Sequence, residues 1–134
     1  VEKQSELFEG LAHSSIASDS KNFVFGTNSG SLISYDFEKM RPQWIVQLKG
    51  RIQATPLIFD QSVYAVSDSG HLAKIQLTSG RVEKEIYLQS GTRSSPAMDE
   101  TNKLFLIKLN NGELIAFDKN LESQLWSQQI DSIK

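Results

Sequence analysis

The chain has 134 residues and a mass of 15.0 kDa, the size of one ordinary domain or a piece of a larger one. A hydrophobic fraction of 39% and a charged fraction of 22% fit a globular protein with a real core and exclude wholesale disorder. A net charge of −2 and the absence of cysteine give no drive toward nucleic acid, and they remove disulfides, thiolate metal sites and cysteine nucleophiles together.

In chain order, the first landmark is Leu7-Phe8-Glu9-Gly10. Shifted by 40 residues it falls on Gln47-Leu48-Lys49-Gly50. Residues 3–9 therefore read as the last strand of a preceding unit, and residues 1–10 as its end. From residue 11 one pattern runs three times. Its marker is the glycine of Ser29-Gly30-Ser31-Leu32, Ser69-Gly70-His71-Leu72 and Asn111-Gly112-Glu113-Leu114, with spacings of 40 and 42 residues. A short apolar run precedes each glycine: Phe23-Val24-Phe25, Val63-Tyr64-Ala65-Val66 and Leu104-Phe105-Leu106-Ile107. A second follows it: Leu32-Ile33-Ser34-Tyr35, Leu72-Ala73-Lys74-Ile75 and Leu114-Ile115-Ala116-Phe117. Six residues past the glycine stand Asp36, Gln76 and Asp118; fourteen past it stand Trp44, Lys84 and Trp126. Upstream, Ser14-Ser15-Ile16, Ala54-Thr55-Pro56 and Ser94-Ser95-Pro96 hold equivalent places. The units are residues 11–50, 51–90 and 91–130, with 131–134 as a tail.

The runs are β-branched and aromatic and are split by turn residues, which predicts strands. No window keeps a helical apolar face over three turns; Leu121 to Ile133 is the best candidate and lacks a consistent face. Each unit accommodates four strands. The first resembles Pro56-Leu57-Ile58-Phe59, the second Val63 to Val66, the third Leu72 to Leu77 and the fourth Gln43 to Leu48. Gly30, Gly70 and Gly112 are the hairpin glycines, where positive φ is required. Four short antiparallel strands every forty-odd residues describe a β-propeller blade, which buries both faces only by packing on neighbours. The predicted fold is thus all-β, about three four-stranded antiparallel blades, as a partial propeller or half of an assembled one. Apolar runs such as Phe105-Leu106-Ile107 are too short for a transmembrane segment.

The run Gly112-Glu113-Leu114-Ile115-Ala116-Phe117-Asp118, followed by Leu125-Trp126, resembles the PQQ-like (quinoprotein-type) propeller repeat, as does Gly30 to Asp36 with Trp44. The second unit keeps the Thr78-Ser79-Gly80 turn but has Gln76 for Asp and Lys84 for Trp. The resemblance implies that Trp44 and Trp126 dock between blades and are largely buried, that Lys84 points to solvent, and that the second blade's contact is looser. It also implies kinship with envelope proteins, among them the non-catalytic propeller lipoprotein of the bacterial outer-membrane β-barrel assembly machinery.

Asp36 and Asp118 are expected to bond turn amides rather than a metal. His13 and His71 are not repeat equivalents, and a surface or partly exposed loop role is expected for both. Ser14-Ser15 and Ser94-Ser95 lack a nucleophile elbow. Lys49, Arg51, Arg81, Lys84 and Arg93 are interleaved with Glu38, Asp68, Glu83 and Glu85, a mixed solvated surface. No catalytic residue, no cofactor and no metal site is expected. The reading is a non-catalytic module for protein–protein interaction or scaffolding in the periplasm or cell envelope. It would act through blade faces and edge strands, on a protein partner or by self-assembly. The alternative is a fragment of a larger sensor or quinoprotein-type enzyme whose active residues lie outside this segment. A glycan-binding propeller fits less well, because both tryptophans stand at docking positions.

Overall fold

The computed structural model describes residues 16–130, so His13, Ser14-Ser15 and the leading strand expected at residues 3–9 lie outside the described residues. The described chain forms twelve strands and no helix. Sheet 1 holds β1 (Ala17–Ser18), β2 (Asn22–Gly26), β3 (Ser31–Asp36) and β4 (Arg41–Gln47). Sheet 2 holds β5 (Leu57–Phe59), β6 (Ser62–Val66), β7 (His71–Gln76) and β8 (Val82–Tyr87). Sheet 3 holds β9 (Ala97–Asp99), β10 (Leu104–Lys108), β11 (Glu113–Asp118) and β12 (Gln124–Gln129). Every sheet is an antiparallel meander in chain order. These are three propeller blades, their strands spanning residues 17–47, 57–87 and 97–129.

The repeated glycine builds the same hairpin three times. Gly30, Gly70 and Gly112 sit at φ of 86°, 93° and 89°, which an L side chain rarely adopts. Each closes a four-residue turn by donating to the carbonyl of Thr27, Ser67 or Leu109. The glycine's own carbonyl then receives the amide that follows the fourth strand: Leu48, Leu88 and Ile130 at 2.8, 2.8 and 2.9 Å. A bulge recurs at Ser34/Tyr35, Lys74/Ile75 and Ala116/Phe117 in the outer strand pair. Bulges raise the local twist, so each sheet turns in the same place just before the Trp or Lys position.

Alternation divides each strand between two faces. On the first face of sheet 1, Val24, Leu32 and Trp44 pack with Val63, Ala65, Ala73, Ile75 and Leu77 of sheet 2. On the other face of sheet 2, Tyr64, Val66 and Leu72 pack with Phe105, Ile107, Ile115 and Phe117 of sheet 3. A smaller cluster, Phe25, Ile33 and Tyr35 with Phe23 against it, occupies the opposite face of sheet 1. Sheet 2 is therefore covered on both faces, which is why all five residues of β6 are buried.

Candidate functional site

Of the residues singled out by the sequence, Trp44 and His71 lie at the junction of sheets 1 and 2. At the first junction, the Trp44 indole N–H donates to the Leu77 carbonyl at 2.7 Å, and Trp44 is only 9% exposed. Its ring lies against Gly80, where an added Cβ would stand 2.6 Å from the indole. The bare backbone of the Thr78-Ser79-Gly80 turn is thus the seat of the ring. Gln43, next to Trp44, donates to the Thr78 carbonyl at 3.1 Å.

The second junction is built from other residues. Lys84 is exposed, as its charge requires, and no indole reaches sheet 3. A different donor closes this junction. The Tyr64 hydroxyl donates to the Lys119 carbonyl at 2.5 Å, and Lys119 lies 42 residues after Leu77, the local repeat spacing. Tyr64 stacks on Phe105 with ring centroids 4.9 Å apart. Leu121, at φ 58°, is buried in the same cluster. Burial, with smaller contributions from Asp60, Glu83 and Asp118, pushes the Tyr64 phenol up to about 12, since a phenolate would be desolvated among carboxylates. Outside these side chains a polar cavity of about 330 Å³ remains, lined by Lys74, Glu83, Lys84, Asn120 and Glu122.

Trp126 does not occupy the buried environment expected of it. It is 42% exposed, because among the described residues no sheet packs on its face of sheet 3. Register places Leu106, Ala116 and Trp126 in one row across that face, as it places Val24, Ser34 and Trp44 in one row of sheet 1. Leu114 stands beside the row, and neither it nor Leu106 is fully buried. The open face of sheet 3 is thus the counterpart of the face that sheet 1 buries.

The aspartates bond turns. Asp36 Oδ1 accepts the amides of Glu38 and Lys39, both at 3.0 Å. Asp118 Oδ1 accepts those of Glu122 and Ser123 at 2.7 and 2.9 Å. Gln76 instead accepts from the Ser79 hydroxyl. Among the described residues, no three His, Cys, Asp or Glu side chains converge as a metal site would need.

The surface role expected of His71 is overturned. The ring is 3% exposed at the head of β7. It is buried because both nitrogens are satisfied: Nδ1 accepts the Lys49 amide at 2.9 Å and Nε2 meets Glu85 Oε1 at 2.8 Å. Tyr87 stacks on it at 4.6 Å. The readable signal was register, since pairing Ala73 with Glu85 puts His71 and Glu85 on one face as diagonal neighbours.

Comparisons with known proteins agree with this architecture. The sequence signature of the family described as outer membrane protein assembly factor BamB matches residues 3–134. No curated protein matches. BamB from Moraxella catarrhalis superposes with a TM-score of 0.74 at 24% identity, over 87% of this chain and 36% of that one. The computationally designed Ika8 protein gives 0.79 at 12% identity, over 90% and 37%. A europium-containing methanol dehydrogenase gives 0.76 at 12%, over 86% and 31%. This chain spans about a third of the length of those structures. At such identities they share a fold, and it hosts an assembly factor, a design and an enzyme alike. With three in-phase blades and a family match across residues 3–134, the chain belongs to the PQQ-like propeller repeat family of the outer membrane protein assembly factor BamB.

Proposed function

We propose that this chain is a non-catalytic propeller module for protein–protein interaction in the bacterial cell envelope, and that the Trp126 face of sheet 3 receives a further blade-type sheet, of a longer polypeptide or of a partner protein. One observation carries the reading. Leu106, Ala116 and Trp126 repeat the row that sheet 1 buries under sheet 2, yet Trp126 is 42% exposed. Exposed apolar faces of this kind mark interaction surfaces. The occupant that fits is another blade-type sheet, offering a bare turn to receive the indole and a carbonyl for its N–H, as Gly80 and Leu77 do for Trp44. The match to an assembly factor supports a binding role over chemistry.

Co-purification from a bacterial envelope tests the proposal. Capture of a protein by the chain should be lost in Trp126→Arg and kept in Lys84→Ala. Capture indifferent to Trp126→Arg would contradict it. Stoichiometric binding of pyrroloquinoline quinone by the purified chain would favour the alternative, a segment of a quinoprotein-type enzyme.

A further inference from the structure

The segment joining sheets 1 and 2 is held by the hairpin of sheet 2. The hydroxyls of Ser67 and Ser69 both donate to the Lys49 carbonyl at 2.5 Å. Asp68 accepts the Arg51 amide at 3.1 Å and its guanidinium at 3.0 Å. The remaining polar group of Lys49, its amide, is spent on His71 Nδ1 at 2.9 Å.

That last bond fixes the state of the imidazole. An amide N–H only donates, so Nδ1 carries a lone pair and the ring proton sits on Nε2, directed at Glu85. Uptake of a second proton at Nδ1 would set N–H against N–H inside a buried contact. The protonated ring and the Lys49 bond therefore exclude each other. Charged groups of both signs stand near the ring. The Glu85 carboxylate stands at Nε2, its side chain 49% exposed to water. The Lys49 ammonium lies 5.2 Å from the centroid of the Tyr87 ring that stacks on His71, and Arg51 is tied to Asp68. Glu113 of sheet 3 lines a groove together with Tyr87. Ser31 and Glu113, the repeat equivalents of His71, carry no imidazole, so the feature belongs to this junction.

We propose that His71 is a proton-operated clasp. In its neutral form it fastens residues 49–51 to sheet 2; in acid it lets go of the Lys49 amide and loosens the junction of sheets 1 and 2 while the sheets persist. The sign follows from linkage. The closed form has no place for the second proton, so acidification favours the open form.

Amide hydrogen exchange on the full chain tests this, read as protection relative to the intrinsic rate at each pH. From pH 7.5 to 5, protection of the Lys49 amide should fall about tenfold, the worth of one hydrogen bond. The Leu88 amide, bonded to Gly70 at 2.8 Å, should hold. His71→Asn places a non-titrating oxygen near the Nδ1 position and should abolish the pH dependence. Glu85→Gln keeps an acceptor without charge and should keep the clasp closed further into acid. Nitrogen shifts of the imidazole should report the Nε2–H tautomer at neutral pH. A Lys49 amide equally protected at both pH values, an Nδ1–H tautomer, or loss of Lys49 protection only together with Leu88 would each overturn the proposal.

Discussion

The Tyr64 hydroxyl occupies, on the Lys119 carbonyl, the place that the Trp44 indole occupies on Leu77 one blade earlier. The two donors come from different strands, β6 and β4, and reach repeat-equivalent acceptors. A large ring against a bare turn closes the first junction. A smaller ring and a leucine turned inward close the second. The repeat thus conserves the satisfied carbonyl while changing the residue that satisfies it.

Tyr64→Phe removes that hydrogen bond and leaves a carbonyl without its partner. We expect a loss of about 1–2 kcal/mol by chemical denaturation at neutral pH. Tyr64 also gives the protein an alkaline limit. Its phenol is raised to about 12 in the fold against about 10 when unfolded. Its contribution is therefore complete below about pH 10 and is lost as pH rises toward 12. Stability of the wild type should fall across that window, and Tyr64→Phe should fall less.

The seat of Trp44 is as specific as the ring. Trp44→Ala should cost about 3–5 kcal/mol, the range for large aromatic truncations in a core. Gly80→Ala should also destabilise, because its Cβ would meet the indole at 2.6 Å and the residue sits at φ +77°. A Gly80→Ala protein with an unchanged melting temperature would contradict the geometry described.

Restoring the repeat's tryptophan at position 84 should bring no gain. In Lys84→Trp the indole would find the Lys119 carbonyl already bonded to Tyr64 and the cluster already filled by Leu121. Overpacking of this kind is destabilising. Only with Tyr64→Val added should Lys84→Trp become favourable; a clear rise in melting temperature for Lys84→Trp alone would argue against the exchange.

How much was legible in the sequence varied with the reach of each interaction. Gly30, Gly70 and Gly112 announced the hairpins because a turn's demand for positive φ is local. Asp36 and Asp118 were readable for the same reason. Tyr64 read only as one member of the apolar run Val63-Tyr64-Ala65-Val66, since its partner lies 55 residues away across a junction. Leu121 fell in the weak helical window, and its burial comes from its packing among residues of sheets 2 and 3. Trp126 and Trp44 share a motif, but burial belongs to the neighbouring sheet, which the motif does not contain. His71 and His13 stand at different repeat positions, so His71 looked incidental; the cross-strand register, more than composition, brought Glu85 to it.

Trp126→Ala in the chain alone should cost less than about 1 kcal/mol, as expected for a half-exposed side chain. The same change should weaken any assembly that covers sheet 3. The contrast with Trp44→Ala separates a tryptophan docked against sheet 2 from one on a face that no described sheet covers.

Site-specific photo-crosslinking in a bacterial envelope tests the binding role most directly, with a photoreactive side chain at position 126 and, as the comparison, at position 84. The account predicts covalent capture of protein at 126 and little at 84. Mass spectrometry should place the captured peptide in a β-strand or the turn beside it. Equal capture at both positions, or none at 126, would contradict a docking role for the open face of sheet 3.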